Sequence, residues 1–96
     1  MTTVHRMEQV TLGGMLLSKA ATDVVMSATL GTDDFHHPAH RIIFDCICDL
    51  HRRGQPADPV TVTHELHRSG DLFSVGGAQY LHTLISMVPV KRGSCF

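Results

Sequence analysis

The chain of 96 residues is long enough to form one small domain whose hydrophobic core needs neither disulfides nor metals. Hydrophobic residues make up 43% of it, and no apolar run approaches the ~20 residues of a transmembrane helix, which argues against a membrane protein. Residues 1–6 lack the pattern of a signal peptide, so we expect a cytoplasmic protein. The net charge of −1 and the scattered basic residues argue against direct binding of nucleic acid.

The first predicted helix covers residues 7–17, where apolar side chains fall on two faces at helical spacing. One face carries Met7, Val10, Gly14 and Leu17, and the other carries Leu12, Met15 and Leu16. We therefore expect a central helix with neighbours on both sides. Each glycine of the Gly13-Gly14 pair weakens a helix by about 1 kcal/mol relative to alanine. This cost is tolerable if another helix approaches the backbone closely there.

The second predicted helix covers residues 20–28 and ends at Gly31. Its inward-facing residues are predicted to be Val24, Val25 and Ala28. Residues 32–34 then offer capping oxygens and negative charge ahead of Phe35.

The third predicted helix has the clearest boundaries. Pro38 suits its first turn, and residues 52–54 supply a basic last turn followed by a glycine stop. Its apolar stripe consists of Ile42, Ile43, Cys46, Ile47 and Leu50. Phe44 and Cys48 widen this stripe, which indicates contact with more than one neighbour.

The fourth predicted helix begins after an Asp58 N-cap, with Pro59 as its first residue, and ends at Ser69 before Gly70. Its inward-facing residues are predicted to be Val62 and Leu66.

The fifth predicted helix follows a link at residues 71–73 and runs to Met87, because Pro89 ends the pattern. Its apolar residues at helical spacing are Val75, Ala78, Leu81, Leu84 and Ile85. Together the segments predict an all-α fold, a compact orthogonal bundle of five to six short helices over residues 7–89. We expect residues 1–6 to be disordered or loosely ordered and residues 90–96 to form a tail.

No segment carries the pattern of a nucleotide site or a catalytic centre. The glycine pairs at 13–14 and 76–77 lack the lysine and the strand context of a phosphate-binding loop. Cys46 and Cys48 point in different directions on a helix and Cys95 lies near the end, so we expect reduced thiols and no disulfide framework. We therefore expect neither enzyme activity nor a cofactor for this chain.

Eight histidines are the main oddity of the composition. His36, His37 and His40 cluster before or at the start of the third helix, and His64 and His67 lie three residues apart on the fourth. Two histidines at this spacing can share a metal ion. Solvated or cap-bonded histidines are the favoured interpretation, because no Cys-x-x-Cys pair or clear carboxylate partner is near in sequence. A histidine-based metal-binding protein stays open as an alternative.

Six segments, in order and at consistent spacing, resemble the N-terminal domain of DnaB-type replicative DNA helicases. They are EQVTLGGMLL at 8–17, DF and HRIIF within 34–44, GQPADPVTV at 54–62, the Leu66, Gly70 and Leu72 spacing, GGAQYL at 76–81, and VP at 88–89. The residues that carry the resemblance as structural motif positions are Leu12, Gly13, Phe35, His40, Arg41, Phe44, Gly54, Pro56, Asp58, Gly76 and Gly77.

The resemblance implies the globular head of that domain. The family continues after the Val-Pro pair with a helical hairpin and then an ATPase domain, and residues 90–96 resemble neither. The full-length family protein is an ATP-binding, ATP-dependent helicase of DNA replication. The head alone is expected to act in the primosome as a protein-interaction domain.

The expected partners are the C-terminal domain of primase, a helicase loader or a second copy of the chain. By motif match, Tyr80 with its neighbours Gln79 and Leu81 lies in the region that meets primase. The alternative for Tyr80 is that it packs on the head with its hydroxyl at the surface. The alternatives for the whole chain are a small helical DNA-binding protein and the metal-binding protein considered above.

Overall fold

The computed structural model describes residues 2–27 and 35–88, with side chains described from Arg6 onward. These two segments contain five α-helices, one short 3-10 helix and no β-strand. The elements are α1 (Thr2–Leu17), α2 (Lys19–Ser27), α3 (Pro38–Arg52), α4 (Pro59–Ser69), the 3-10 helix (Phe73–Val75) and α5 (Gly77–Ser86). The predicted all-α fold is confirmed. None of the described helices has the length and apolar character needed to cross a membrane.

Helix α1 begins at Thr2, earlier than the predicted start at Met7. The structure thus places residues 2–6, which were expected to be disordered or loosely ordered, in this helix. Neither glycine nor proline occurs before Gly13, so this stretch contains no residue that strongly opposes a helix.

Helix α1 is central, because it packs against α2, α3 and α5. Only one of its two predicted apolar faces is fully used: Leu12, Met15 and Leu16 are buried. On the other face Met7 is 64% exposed and Leu17 is 49% exposed. The prediction of two covered faces was wrong at these two residues.

Gly13 marks the close approach of α1 and α5. A Cβ atom placed there would press against the Leu84 carbonyl oxygen and lie 2.8 Å from Val88 Cγ2. A Cβ atom at Gly14 would meet no neighbouring atom of the described residues within 4 Å. The expected close contact at the glycine pair is therefore confirmed, and it is specific to Gly13.

Helix α2 turns inward only partly as predicted, since Val25 is partly buried against the core but Val24 is not. Val24 is 69% exposed, whereas Thr22 is buried and its hydroxyl donates to the Met15 carbonyl oxygen at 2.9 Å. This hydrogen bond satisfies the buried hydroxyl and attaches α2 to α1, which periodicity of apolar residues does not reveal. The predicted inward Ala28, the Gly31 stop and the capping residues 32–34 lie outside the described residues.

Helices α3 and α4 have the predicted boundaries. The N-cap of α3 is His37, whose Nδ1 accepts a hydrogen bond from the Ala39 amide. The N-cap of α4 is Asp58, which accepts from the Thr61 amide at 2.7 Å, and α4 ends at a left-handed Gly70. The buried residues of the two predicted stripes are Ile43, Ile47, Leu50, Val62 and Leu66, with Ile42 and Cys46 partly buried.

The fifth predicted helix is divided in two by Gly76. Its φ of +101° interrupts the helix, so Val75 belongs to the preceding 3-10 helix and α5 begins at Gly77. A side chain at position 76 would be strained by this φ and would approach Tyr80 Cβ at 3.1 Å. Ala78, predicted to face inward, is exposed. The predicted Pro89 stop and the 90–96 tail lie outside the described residues.

Several motif residues join the start of α3 to the core. The Phe35 and Phe44 rings are both buried, with their centroids 4.7 Å apart. Arg41 Nε donates to the Phe35 carbonyl oxygen at 2.6 Å, which holds the segment before α3 against its first turn. Gly54 ends the α3 turn at φ +73°, and Pro56 lies in the exposed loop that leads to Asp58.

Candidate docking face on the fifth helix and the polar network beneath it

Helix α5 has one buried face and one exposed face without formal charge. The segment Gly77–Ser86 contains no Asp, Glu, Lys or Arg, while Leu81 and Leu84 are buried in the core. The exposed residues are Ala78, Gln79, His82, Thr83 and Ser86, which we call the α5 face. Charged residues are depleted at the centres of protein interfaces, so a face of this composition suits contact with another protein.

The three predicted partner-binding residues lie in different environments. Gln79 belongs to the α5 face, and Tyr80 beside it is half-buried. Leu81 is only 1% exposed and packs in the core, so its expected role as a partner contact is corrected. A helix turns about 100° per residue, which carries three consecutive side chains from the surface to the interior.

The Tyr80 hydroxyl is turned inward, not toward the surface. It accepts a hydrogen bond from Gln9 Nε2 on α1 at 3.3 Å and is hydrogen-bonded to His40 Nε2 on α3. Burial and the nearby Glu8 carboxylate raise the pKa of Tyr80, although the Gln9 hydrogen bond opposes them. Tyr80 therefore connects α5 to both α1 and α3.

His40 is completely buried between two polar partners. Its Nδ1 lies 2.7 Å from Glu8 Oε1, and its ring is nearly parallel to that of Tyr80, at an interplanar angle of 13°. The His37 ring lies beside it, with centroids 4.7 Å apart. The expectation of solvated or cap-bonded histidines holds for the cap-bonded His37 but was wrong for His40, which is a core residue.

Glu8 joins the network to the N-terminus of α3. Its Oε2 accepts from the His36 amide at 2.7 Å and lies 3.2 Å from His36 Nδ1, and Oε1 is 3.4 Å from the His37 amide nitrogen. Burial alone would raise the pKa of Glu8, but the hydrogen bonds from the His36 amide and from the His40 and His36 rings lower it to about 2. A carboxylate at a helix N-terminus is also favoured by the helix dipole.

The ionised state of Glu8 determines which group donates in its contact with His40. A carboxylate only accepts hydrogen bonds, so His40 Nδ1 carries a hydrogen and donates it to Glu8. When the imidazole is neutral, its other nitrogen is an acceptor, so His40 Nε2 accepts the hydroxyl hydrogen of Tyr80; when the ring is protonated, Nε2 donates to the Tyr80 oxygen instead. We call Glu8, Gln9, His40 and Tyr80 the polar network. Every buried side-chain nitrogen and oxygen in the described part of the chain has a hydrogen-bond partner.

The order carboxylate, histidine, hydroxyl is also that of a catalytic triad, but the environment differs. His40 has no exposed surface, so no substrate reaches its ring in this structure. Burial raises the pKa of Cys46 to about 11, which keeps that sulfur a neutral thiol at pH 7. Cys48 is also a free thiol, and Cys95 lies outside the described residues.

The described residues contain no cluster of three or more His, Cys, Asp or Glu side chains arranged to hold a metal ion. His64 and His67 are both exposed on α4. The predicted histidine pair thus has no further ligand among the side chains that the structure describes.

Sequence reasoning missed Glu8 and Gln9 as site residues. A signal was present, because Glu8 stands at helical spacing from the buried Leu12 and Met15, and His40 stands likewise with Ile43 and Phe44. An acid and a histidine, each aligned with a buried face, indicate a pair, since an unpaired charge in a core is costly. Phe73, treated only as part of a link, is 97% exposed and borders the same groove as Gly77 at the start of α5.

The sequence matches the family described as the DnaB-like helicase N terminal domain over residues 2–94. It is 57% identical over 87 residues to a replicative DNA helicase DnaB from Mycobacterium leprae, covering 91% of this chain and 14% of that protein. It is 52% identical over 87 residues to the replicative DNA helicase DnaB of Leifsonia xyli, covering 91% of this chain and 19% of that one. The chain thus spans less than a fifth of the length of these relatives.

The fold is similar to a solved structure as well. The crystal structure of the N-terminal domain of DnaB helicase from Mycobacterium tuberculosis aligns with a TM-score of 0.85 and 53% sequence identity. The alignment covers 93% of this chain and 63% of the other. Sequence and fold agree, and the chain belongs to the DnaB-like helicase N-terminal domain family.

Proposed function

We propose that this chain is a protein-interaction domain of a replicative DNA helicase, that it mediates self-association, and that it docks primase or a helicase loader through the α5 face. The observation that carries the proposal is the α5 face itself, which lies on a helix without Asp, Glu, Lys or Arg. Family membership supports a role in DNA replication. On its own the chain is proposed to have no catalytic activity, because it covers only 14% to 19% of two of its helicase relatives and its buried histidine is inaccessible.

The proposed contact residues are Gln79, in the α5 face, and Tyr80 beside it. Phe73 is added because an aromatic ring that is 97% exposed is a favourable anchor for a partner. These residues lie at the N-terminal part of α5 and just before it, so the footprint of one partner element is proposed to include all three.

The proposal is tested by titrating the chain with the C-terminal domain of the cognate primase and, separately, with the loader in a calorimeter. Sedimentation of the chain alone over micromolar concentrations measures self-association. Binding to at least one of these three partners is expected. If no binding to any of them occurs, the proposal fails.

Two matched pairs of variants locate the surface. Gln79→Glu places a charge in the α5 face and is expected to weaken docking about tenfold or more, whereas Gln55→Glu, the same change in the exposed α3–α4 loop, leaves it unchanged. Phe73→Ala is expected to weaken docking, and the control is Val60→Ala on the 78% exposed position of α4. Equal effects within each pair would place docking on another surface.

A further inference from the structure

The polar network joins three helices at one buried point. Glu8 and Gln9 come from α1, His40 from α3 and Tyr80 from α5. Tyr80 is the only member next to the α5 face, since Gln79 precedes it in the chain and it is half-buried. The side-chain position of Tyr80 therefore depends on partners from two other helices.

The hydrogen bonds of this network are matched only when His40 is neutral. In that state Gln9 donates to the Tyr80 oxygen, the Tyr80 hydroxyl donates to His40 Nε2, and His40 Nδ1 donates to Glu8. A proton added to His40 can go only to Nε2, which then becomes a donor. The Tyr80 hydroxyl hydrogen loses its acceptor, and the oxygen must accept from both Gln9 and His40.

We propose that the protonation of His40 controls the direction of the Tyr80 hydroxyl hydrogen, so that the hydrogen bonding available beside Gln79 changes when His40 takes up a proton. With His40 neutral, this hydrogen points inward and is donated to His40 Nε2. With His40 protonated, the imidazolium pairs with the Glu8 carboxylate, and the Tyr80 hydroxyl hydrogen turns outward toward water or an acceptor on a partner. The consequence for docking rests on the proposed function, whereas the change at Tyr80 is a property of the chain alone.

Other titratable groups lie close to His40 and must be distinguished from it. From α1 the facing group is Glu8, from the segment before α3 they are His36 and His37, and from α5 it is Tyr80. His36 is the matched control, because its ring contacts the same Glu8 carboxylate but its side chain is 81% exposed. His36 lies on the same carboxylate without the Tyr80 contact, so a variant at His36 separates the protonation of His40 from a change of charge beside Glu8.

The chain carries its own reporter of this change. Tyr80 is the only tyrosine and there is no tryptophan, so intrinsic fluorescence comes from this one phenol. Fluorescence of the 96-residue chain is recorded between about pH 8 and pH 5, the range in which histidines commonly titrate. Circular dichroism at each pH verifies that the helices persist, and NMR of the His40 ring reports its protonation.

A fluorescence transition is expected that coincides with the protonation of the His40 ring and is lost in His40→Gln but retained in His36→Gln. Tyr80→Phe provides a second measurement that does not need His40→Gln to fold. It removes the oxygen that accepts the charge-assisted hydrogen bond from protonated Nε2 and leaves that buried donor unsatisfied, so the ring should take up its proton at a lower pH than in the parent chain. A flat fluorescence profile while His40 titrates in the folded chain, or an unchanged His40 midpoint in Tyr80→Phe, would overturn the proposal. Binding of primase and of the loader, and self-association, measured across the same pH range separate the two proposals, because the absence of all three refutes docking and leaves the Tyr80 result intact.

Discussion

Replacement of Gly13 by alanine tests the closest helix contact in the fold. A Cβ atom at Gly13 would press against the carbonyl oxygen of Leu84 and lie 2.8 Å from Val88 Cγ2. The first of these neighbours is backbone, so the contact is relieved only if α5 moves away from α1. Such overpacking costs about 1–3 kcal/mol of the free energy of unfolding.

The adjacent glycine is an internal control for this cost. Both glycines lie in α1, and either change to alanine returns about 1 kcal/mol of helix propensity. At Gly14 that gain is not opposed, because none of the described residues places an atom within 4 Å of the new Cβ. We therefore expect Gly14→Ala to stabilise the chain and Gly13→Ala to be about 1–3 kcal/mol less stable than Gly14→Ala.

Urea unfolding followed by circular dichroism measures both variants. The urea concentration at the transition midpoint should rise for Gly14→Ala, and for Gly13→Ala it should fall or stay near the parent value. The dependence of the free energy of unfolding on urea concentration should be similar for both variants. Equal stability of the two variants would refute the reasoning, since it would mean that α5 does not rest on the backbone of α1 at Gly13.

Three further changes test the network, a cap and the core. The stabilising effect of ionised Glu8 is fully present above pH 4.5 and is lost as the pH falls toward 2. The difference in the free energy of unfolding between the parent chain and Glu8→Gln should therefore shrink by up to about 3 kcal/mol over this range, as measured in acid unfolding experiments. Asp58→Ala removes the hydrogen bond from the Thr61 amide and should lower the free energy of unfolding by about 1 kcal/mol. Asp58→Asn keeps an accepting oxygen at this N-cap and should retain most of that stability. Leu84→Ala empties a site of 0% exposure and should cost about 2–5 kcal/mol, against less than about 0.5 kcal/mol for the exposed Val60→Ala.

Elements with local signals were predicted well. Pro38, Asp58 and Gly70 specify where α3 begins and where α4 begins and ends, because capping and chain termination act within a few residues. The fifth helix was predicted less well, since its apolar spacing runs smoothly through Gly76 and periodicity carries no information about φ. Val24 was misplaced for a similar reason: periodicity favours apolar residues over the buried Thr22, which is satisfied by a carbonyl of another helix.

The candidate site was only partly predictable. Gln79 and Tyr80 were named from the family motif, and the geometry of Tyr80 depends on residues far away in the chain. Glu8 and His40 are 32 positions apart, and His40 and Tyr80 are 40 apart, so no local sequence pattern predicts their contacts. Only the alignment of each polar residue with a buried face indicates that it needs a partner inside.

The polar network gives the α1, α3 and α5 junction a specificity that apolar packing alone does not supply. Leucine and isoleucine side chains tolerate small shifts of one helix along another, whereas each hydrogen bond of the network requires one donor to face one acceptor. A sliding of α5 would leave the His40 ring buried with an unmatched nitrogen, at a cost of about 1–3 kcal/mol. Because Gln79 is the neighbour of Tyr80, the same bonds that hold Tyr80 also fix where the α5 face points relative to the rest of the domain. Under the proposed function, a partner that binds the α5 face would therefore depend on residues that it does not contact.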